Sequence, residues 1–248
     1  MKKYVKKIIH SMLAIYVSLA VILIVVFSSF YYAYGHYMTV LISDKNEKVV
    51  AYASKNNIEN TGKIVFYGDS ITEMCDTSLY YPEFDIINRG ISGDTTSGML
   101  ERLQDNLLNI QPSTVVFLGG TNDIGKKIPT DQIAKNIESI LSSIKEKCPN
   151  CKIIVQSVYP VNKHVRPHFL NQVNNRSNDA VAELNSALVE LCQRYDYTYV
   201  DVYSYLTDSD GNLNREYTRD GLHLIKKGYF KVAEIIKPYL IPQNPTEL

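Results

Sequence analysis

The chain has 248 residues, 45% apolar and 21% charged, with 26 Lys and Arg against 26 Asp and Glu, 4 Cys and no Trp. This excludes collagen, coiled coil and wholesale disorder, and the length suits one full-sized domain plus additional material, because one core usually serves up to about 250 residues. A formal charge of zero offers no basic surface for nucleic acid.

Lys2, Lys3, Lys6 and Lys7 open the chain, and no charged residue follows from Ile8 to Ser43. At about 1.5 Å per residue, the apolar run from Ile8 to Phe30 can cross a bilayer core of about 30 Å. Tyr31, Tyr32, Tyr34 and Tyr37 suit an interfacial aromatic belt. A cleaved signal peptide and a buried globular helix are the alternatives. The run exceeds the usual signal core of about 7–15 residues, and Ala33-Tyr34-Gly35 is a poor cleavage site. The sequence therefore predicts a cytoplasmic basic flank at 1–7, a transmembrane anchor at 8–34 and an extracellular stalk at 35–62, with a globular domain, 63–248, facing outward. Because 1–43 holds four Lys and no acid, the rest has 22 Lys and Arg against 26 acids. The neutral total thus hides a basic flank and a mildly acidic exported part.

Beyond the stalk, short β-rich runs alternate with amphipathic stretches. Strands are expected at 63–67, 85–88, 114–118, 152–156 and 197–201, and helices at 96–110, 130–147, 173–194 and 226–239. Runs apolar on both faces and separated by helices argue for a parallel sheet covered on both sides, a three-layer α/β sandwich of about five strands. In such sheets reactive groups sit beyond the carboxyl ends of the strands.

Four sites there can carry chemistry, and each has a plain structural reading as well. Ser70, in Gly68-Asp69-Ser70-Ile71-Thr72, is a nucleophile or part of a helix cap. Gly90, in Asn88-Arg89-Gly90-Ile91-Ser92-Gly93-Asp94-Thr95-Thr96, offers a backbone N–H to an oxyanion or simply turns the chain. Asn122, after Gly119-Gly120-Thr121, is a neutral side-chain donor or an Asx turn. Asp220 precedes His223 by three residues, a spacing that lets the carboxylate hold one ring nitrogen while the other takes a proton, or that marks a surface turn.

Taken together, in this order, the four sites resemble the SGNH or GDSL-like hydrolase family over about 63–240. The Asn-x-Gly-x-x-Gly-Asp-Thr-Thr and Gly-Thr-Asn-Asp stretches are similar to the branch containing platelet-activating-factor acetylhydrolase subunits and bacterial acylhydrolases. Ile71 stands where the family name has Leu, at a packing position. The resemblance implies a flavodoxin-like α/β/α sandwich and a serine esterase without metal or cofactor. It implies Ser70 as nucleophile, His223 as base, Asp220 as its acidic partner, and Ser70, Gly90 and Asn122 as the oxyanion hole.

Asp69, Thr121, Tyr159, Asn162 and His164 are candidates for lining the substrate site, the last three in a loop after the fourth strand. His164 and His168 are four apart, but Pro167 interrupts the helix that would make them metal ligands. Cys148-Pro149-Asn150-Cys151 is a plain loop, a local disulfide, or a metal or redox pair; it follows a helix rather than opening one, against a thioredoxin-type motif. The expected function is an anchored extracellular esterase that removes small acyl groups, acetyl foremost, from envelope carbohydrate or similar small molecules. A lipase or lysophospholipase at the same membrane is the alternative, and a noncatalytic binding module is the reading from another class.

Overall fold

The computed structural model describes residues 2–56, 60–166 and 172–241. Pro167 and His168 lie outside them. The chain divides into two compact units, Met1–Lys48 and Val49–Leu248.

The first unit lies within one helix, α1 (Lys2–Ser54), whose segment Ile15–Ser54 is long and apolar enough to cross a membrane by length and composition. Its apolar side chains Leu19, Ile22, Val26 and Phe30 are more than half exposed. The expected stalk is helical as far as Ser54. No Pro or Gly occurs between Gly35 and Gly62 to stop the helix. Lys48 pairs with Asp44 one turn earlier at 2.6 Å, and Ser43 donates to Glu47.

The second unit is built on five parallel strands, β1 (Ile64–Gly68), β2 (Ile86–Gly90), β3 (Thr114–Leu118), β4 (Lys152–Gln156) and β5 (Thr198–Val200), in the order β2-β1-β3-β4-β5. This is the flavodoxin-like order, with its reversal of strand order beside β1 and β3. Period-two alternation sends Val65, Tyr67, Val115, Phe117, Ile153 and Val155 into one core, and Phe66, Val116, Leu118 and Ile154 into the other. The first core is closed by α7 (Thr130–Lys147) and α8 (Asn178–Tyr195), the second by α3 (Thr77–Tyr80), α9 (Tyr203–Leu206) and α10 (Lys226–Leu240). In α7 the buried residues Ile133, Ile137, Ile140, Leu141 and Ile144 recur at helical spacing, with Asp131 in its first turn and Lys145 and Lys147 in its last.

Two helices differ from the sequence pattern. The stretch 96–110 is broken into α4 (Thr96–Glu101), α5 (Leu103–Asn106) and a 3₁₀ turn at Leu108–Ile110, and the first break falls at Arg102, whose side chain turns inward to strand-end carbonyls. The helix expected from 173 begins at Asn178 because Asn174 takes a left-handed conformation and Ser177 caps the start, its Oγ accepting from Ala180 N–H. The remaining short helices, α2 (Ser70–Glu73) and α6 (Thr121–Gly125), follow β1 and β3.

The compact unit begins before the expected boundary at 63, since the end of α1 packs into it. Arg89, buried at the end of β2, donates to Asn56 Oδ1 at 3.2 Å and lies 4.7 Å over the Tyr52 ring; Asn106 Nδ2 donates to Val49 O at 2.9 Å. Tyr52 also donates to Gly90 O at 3.0 Å. A fragment starting at Lys63 leaves a buried guanidinium short of partners, so its melting temperature is expected to fall below that of a fragment starting at Val49. At roughly 1.5–3 kcal/mol for a charged hydrogen bond and about 2–4 °C per kcal/mol, the drop is roughly 5–10 °C by thermal denaturation. Equal melting temperatures would mean that the helix end adds nothing.

Candidate active site

Ser70 opens α2 directly after β1, and Asp69 caps that helix, its Oδ1 accepting from Ile71 N–H at 2.9 Å. The Ser70 hydroxyl lies 3.1 Å from His223 Nε2, and His223 Nδ1 lies 2.7 Å from Asp220 Oδ2. Residues 150 apart in sequence thus form one hydrogen-bonded chain. Asp220 Oδ1 accepts from the N–H groups of Leu222 and His223 at 2.9 and 2.8 Å. An antiparallel bridge between Thr218 and Leu224 closes the turn, and Asn162 N–H donates to Gly221 O at 2.8 Å beneath it. Burial pushes the Asp220 carboxyl up, but the hydrogen bonds from the His223 ring and the two backbone N–H groups outweigh it and hold the group down at about 2. An ionised Asp220 keeps the proton of the neutral imidazole on Nδ1 and leaves Nε2 free to accept from Ser70.

The Gly90 N–H expected in the oxyanion hole is engaged within the fold. Its N–H donates to Asn88 Oδ1 at 2.9 Å, and a Cβ at this position would fall on the backbone of Thr72 and Glu73, so glycine here serves the close approach of α2 to β2. The following N–H groups are also engaged: Ile91 with Gly68 O, Ser92 with Glu73 Oε2, Asp94 with Ile91 O, Thr95 with Asp94 Oδ1 and Thr96 with Asp123. Only the N–H of Gly93 has no acceptor among the described residues of this loop. Gly93 has a φ of 74°, and a Cβ there would meet nothing within 4 Å, so the turn rather than crowding calls for glycine. The sequence carried this signal in the second glycine of Gly90-Ile91-Ser92-Gly93.

Asn122, the second residue of α6, donates through Nδ2 to Asp94 O at 2.9 Å and accepts at Oδ1 from Arg176 Nη2 at 2.7 Å. Since a carboxamide carries two N–H donors, one remains. Ser70 N–H likewise has no acceptor among the described residues. The structure thus joins the Ser70 hydroxyl, the His223 ring and the Asp220 carboxylate in one hydrogen-bonded chain, and the N–H groups of Ser70 and Gly93 and one Asn122 amide N–H have no acceptor among the described residues, a set of groups of the kind acyl transfer uses.

Several residues expected to line the substrate site have their polar groups engaged within the fold. Thr121 is buried, and its Oγ1 accepts from Arg176 Nε at 3.1 Å. Tyr159 is 3% exposed and donates to Gln156 Oε1, and Asn162 is 2% exposed and donates to Leu213 O. Their polar groups are occupied within the fold. His164 is exposed on a separate cleft of about 440 Å³ lined by Lys163, Asn178 and Tyr203, which neither Ser70 nor His223 reaches. Asp69 is wholly buried with Oδ2 unpartnered, and burial pushes its carboxyl up to about 7 against the pull of Ile71 N–H, Arg176 and His223. The four cysteines are free and buried, and burial pushes the Cys151 thiol up to about 12, away from the thiolate that redox or metal chemistry requires.

A model of the GDSL-like lipase/acylhydrolase family matches residues 66–230. Platelet-activating factor acetylhydrolase IB subunit alpha2 of Rattus norvegicus is 30% identical over 192 residues, 74% of this chain and 80% of that one. A solved structure from Streptococcus pneumoniae, named for platelet activating factor, is 34% identical and superposes with a TM-score of 0.79 over 84% of this chain and 98% of that chain. An acetylxylan esterase from Geobacillus stearothermophilus, at 17% identity and a TM-score of 0.57 over 73% and 96% of the two chains, shares the fold.

The carboxyls of Asp69 and Asp220 make opposite contributions to stability. Between its ordinary 3.8 and about 7, Asp69 holds a proton in the folded chain that the unfolded chain has released, so stability is lost as pH rises through that window. Asp220 contributes stability above 3.8 that is lost as pH falls toward about 2. Asp69→Asn keeps the acceptor for Ile71 and removes only the first effect. Its melting temperature relative to wild type is expected to climb from pH 4 to pH 7, and a constant difference would contradict the burial argument.

Proposed function

Since this chain belongs to the GDSL-like lipase/acylhydrolase family and is an ester hydrolase, we propose that it works through an acyl-enzyme on Ser70. The observation that carries this reading is the hydrogen-bonded chain from Ser70 Oγ through His223 to Asp220. His223 Nε2 takes the Ser70 proton as Oγ bonds to the ester carbonyl carbon, and the carbonyl π electrons move to oxygen. The oxyanion is held by the N–H groups of Ser70 and Gly93 and the remaining Nδ2–H of Asn122. Collapse breaks the bond to the leaving oxygen, which receives the proton from His223 and departs as alcohol. Water then repeats the sequence and releases the carboxylic acid and free Ser70.

The substrate we infer is a small acyl ester, acetyl foremost, on envelope carbohydrate or a similar molecule, cleaved by an enzyme anchored through α1 with its basic flank in the cytoplasm. A relative whose name is acetylhydrolase supports the acetyl group. Four lysines before the apolar helix support the orientation, since basic flanks stay on the cytoplasmic side. The same helix, set in a bilayer, favours a second reading, a lipase or lysophospholipase acting on that membrane.

In full-length enzyme in detergent, Ser70→Ala is expected to abolish both p-nitrophenyl acetate hydrolysis and fluorophosphonate labelling. Asn122→Ala is expected to lower kcat by about 10²–10³ with labelling slowed but retained. Wild-type turnover in Ser70→Ala would remove Ser70 from the mechanism, and failure of the wild type to label would favour a noncatalytic binding role. On an ester series from acetate to palmitate, kcat/KM is expected to peak at the short end. A peak at palmitate would instead establish the lipase reading.

A further inference from the structure

Arg176 lies outside the triad, yet its guanidinium is buried and committed to one corner of the site. Nε donates to Thr121 O at 2.8 Å, Nη1 to Gln172 O and Val173 O at 3.2 and 3.3 Å, and Nη2 to Asn122 Oδ1 at 2.7 Å. The terminal amide of asparagine is nearly symmetric in shape, so a half-turn exchanges Oδ1 and Nδ2 at small steric cost. Its neighbours decide the orientation. Arg176 offers donors only and the Asp94 carbonyl accepts only, so one orientation makes both hydrogen bonds while the flipped one sets N–H against N–H and oxygen against oxygen. The satisfied orientation leaves one N–H over. The flipped one would turn an oxygen lone pair to the same place.

We propose that Arg176 is a positioning residue for ester hydrolysis: it locks the Asn122 amide in the orientation that presents N–H to the oxyanion, and its charge on Oδ1 polarises that donor. The proposal rests on Asn122 as an oxyanion donor. Arg176 delivers cationic stabilisation through a neutral amide, so substrate meets no free charge, and hydrogen bonds in series reinforce one another. The benefit arises only as negative charge develops on the carbonyl oxygen, so it acts on kcat rather than on KM.

Gly125, which ends α6, provides a second handle. A Cβ there would lie 2.8 Å from Arg176 Cζ, so Gly125→Ala displaces the guanidinium without removing it. Lysine at 176 keeps the charge but cannot reach Thr121, the 172–173 carbonyls and Asn122 at once.

The test is a pair of double-mutant cycles on the full chain in detergent, with p-nitrophenyl acetate as substrate. Arg176→Lys and Gly125→Ala are each expected to lower kcat about 10- to 100-fold with KM within about twofold. In an Asn122→Ala background, neither is expected to lower kcat further. If both cost the same factor in the two backgrounds, or if the loss falls on KM, Arg176 does not act through Asn122 and the proposal fails. Should Arg176→Lys not fold, Gly125→Ala decides alone. If Asn122→Ala itself keeps wild-type kcat, the oxyanion assignment is what has failed.

Discussion

The strands of a parallel sheet end in carbonyl oxygens that need donors where the ladder stops, and in this fold those ends are covered. Arg102 answers that need at the ends of β1 and β2. Its guanidinium donates to Gly68 O at the end of β1 and to Arg89 O near the end of β2, both at 3.0 Å, and to Asp94 Oδ2 at 2.7 Å, while lying 4.3 Å over the Tyr67 ring. With its side chain 2% exposed and that of Asp94 0%, this is a fully buried ion pair. Breaking such a pair typically costs about 3–5 kcal/mol because the surviving charge is left alone. Ser70 begins two residues after Gly68 and Gly93 immediately precedes Asp94, so the Ser70 hydroxyl and the Gly93 N–H are both referenced to one side chain.

The same network extends from Asp94 to the other donor. Asp94 O accepts from Asn122, and Asn122 accepts from Arg176. Two buried arginines therefore flank the site, one behind the Gly90–Thr96 loop and one behind α6, and neither displaces the N–H groups at the front. Asp123 adds a tie by accepting from Thr96 N–H and Oγ1. Placing charges one bond behind neutral donors holds the donors rigid, so little reorganisation is needed when negative charge develops.

What could be read in the sequence was what repeats or is local. Strand alternation, the α7 stripe and the Asp220-x-x-His223 spacing each depend on neighbours a few residues away, and each is where the pattern puts it. What could not be read was which polar atom is already occupied. Gly90 and Gly93 are equivalent as letters, and only the structure separates them, Gly90 ending β2 with its N–H on the Asn88 side chain and Gly93 turning the chain at a φ of 74°. Tyr159 and Asn162 sit in a loop of suitable composition, but Gln156, three residues back, and Leu213, about fifty residues on, take their polar groups inward. Arg176 looked like one more residue of an amphipathic helix, whereas its partners at Thr121 and Asn122 are more than fifty residues away.

Composition misleads in the same way at the N-terminal boundary. The apolar run and the charge change near 43 suggest that a new unit starts once a polar linker has passed. The boundary follows instead from satisfying Arg89. This guanidinium is 3% exposed, β2 supplies no partner for it, and Asn106 O takes only Nε, so Asn56 Oδ1 and the Tyr52 face complete its surroundings. Burial lowers the pKa of Arg89, the direction expected when a cation loses water, and these groups offset part of that loss. Asn106 is itself held by Val49 O, so the requirement passes from β2 through α5 to the last turns of α1. A helix that begins as a hydrophobic span thus ends as a structural part of the catalytic unit, with Tyr52 bonded to the carbonyl of Gly90, three residues before the Gly93 N–H.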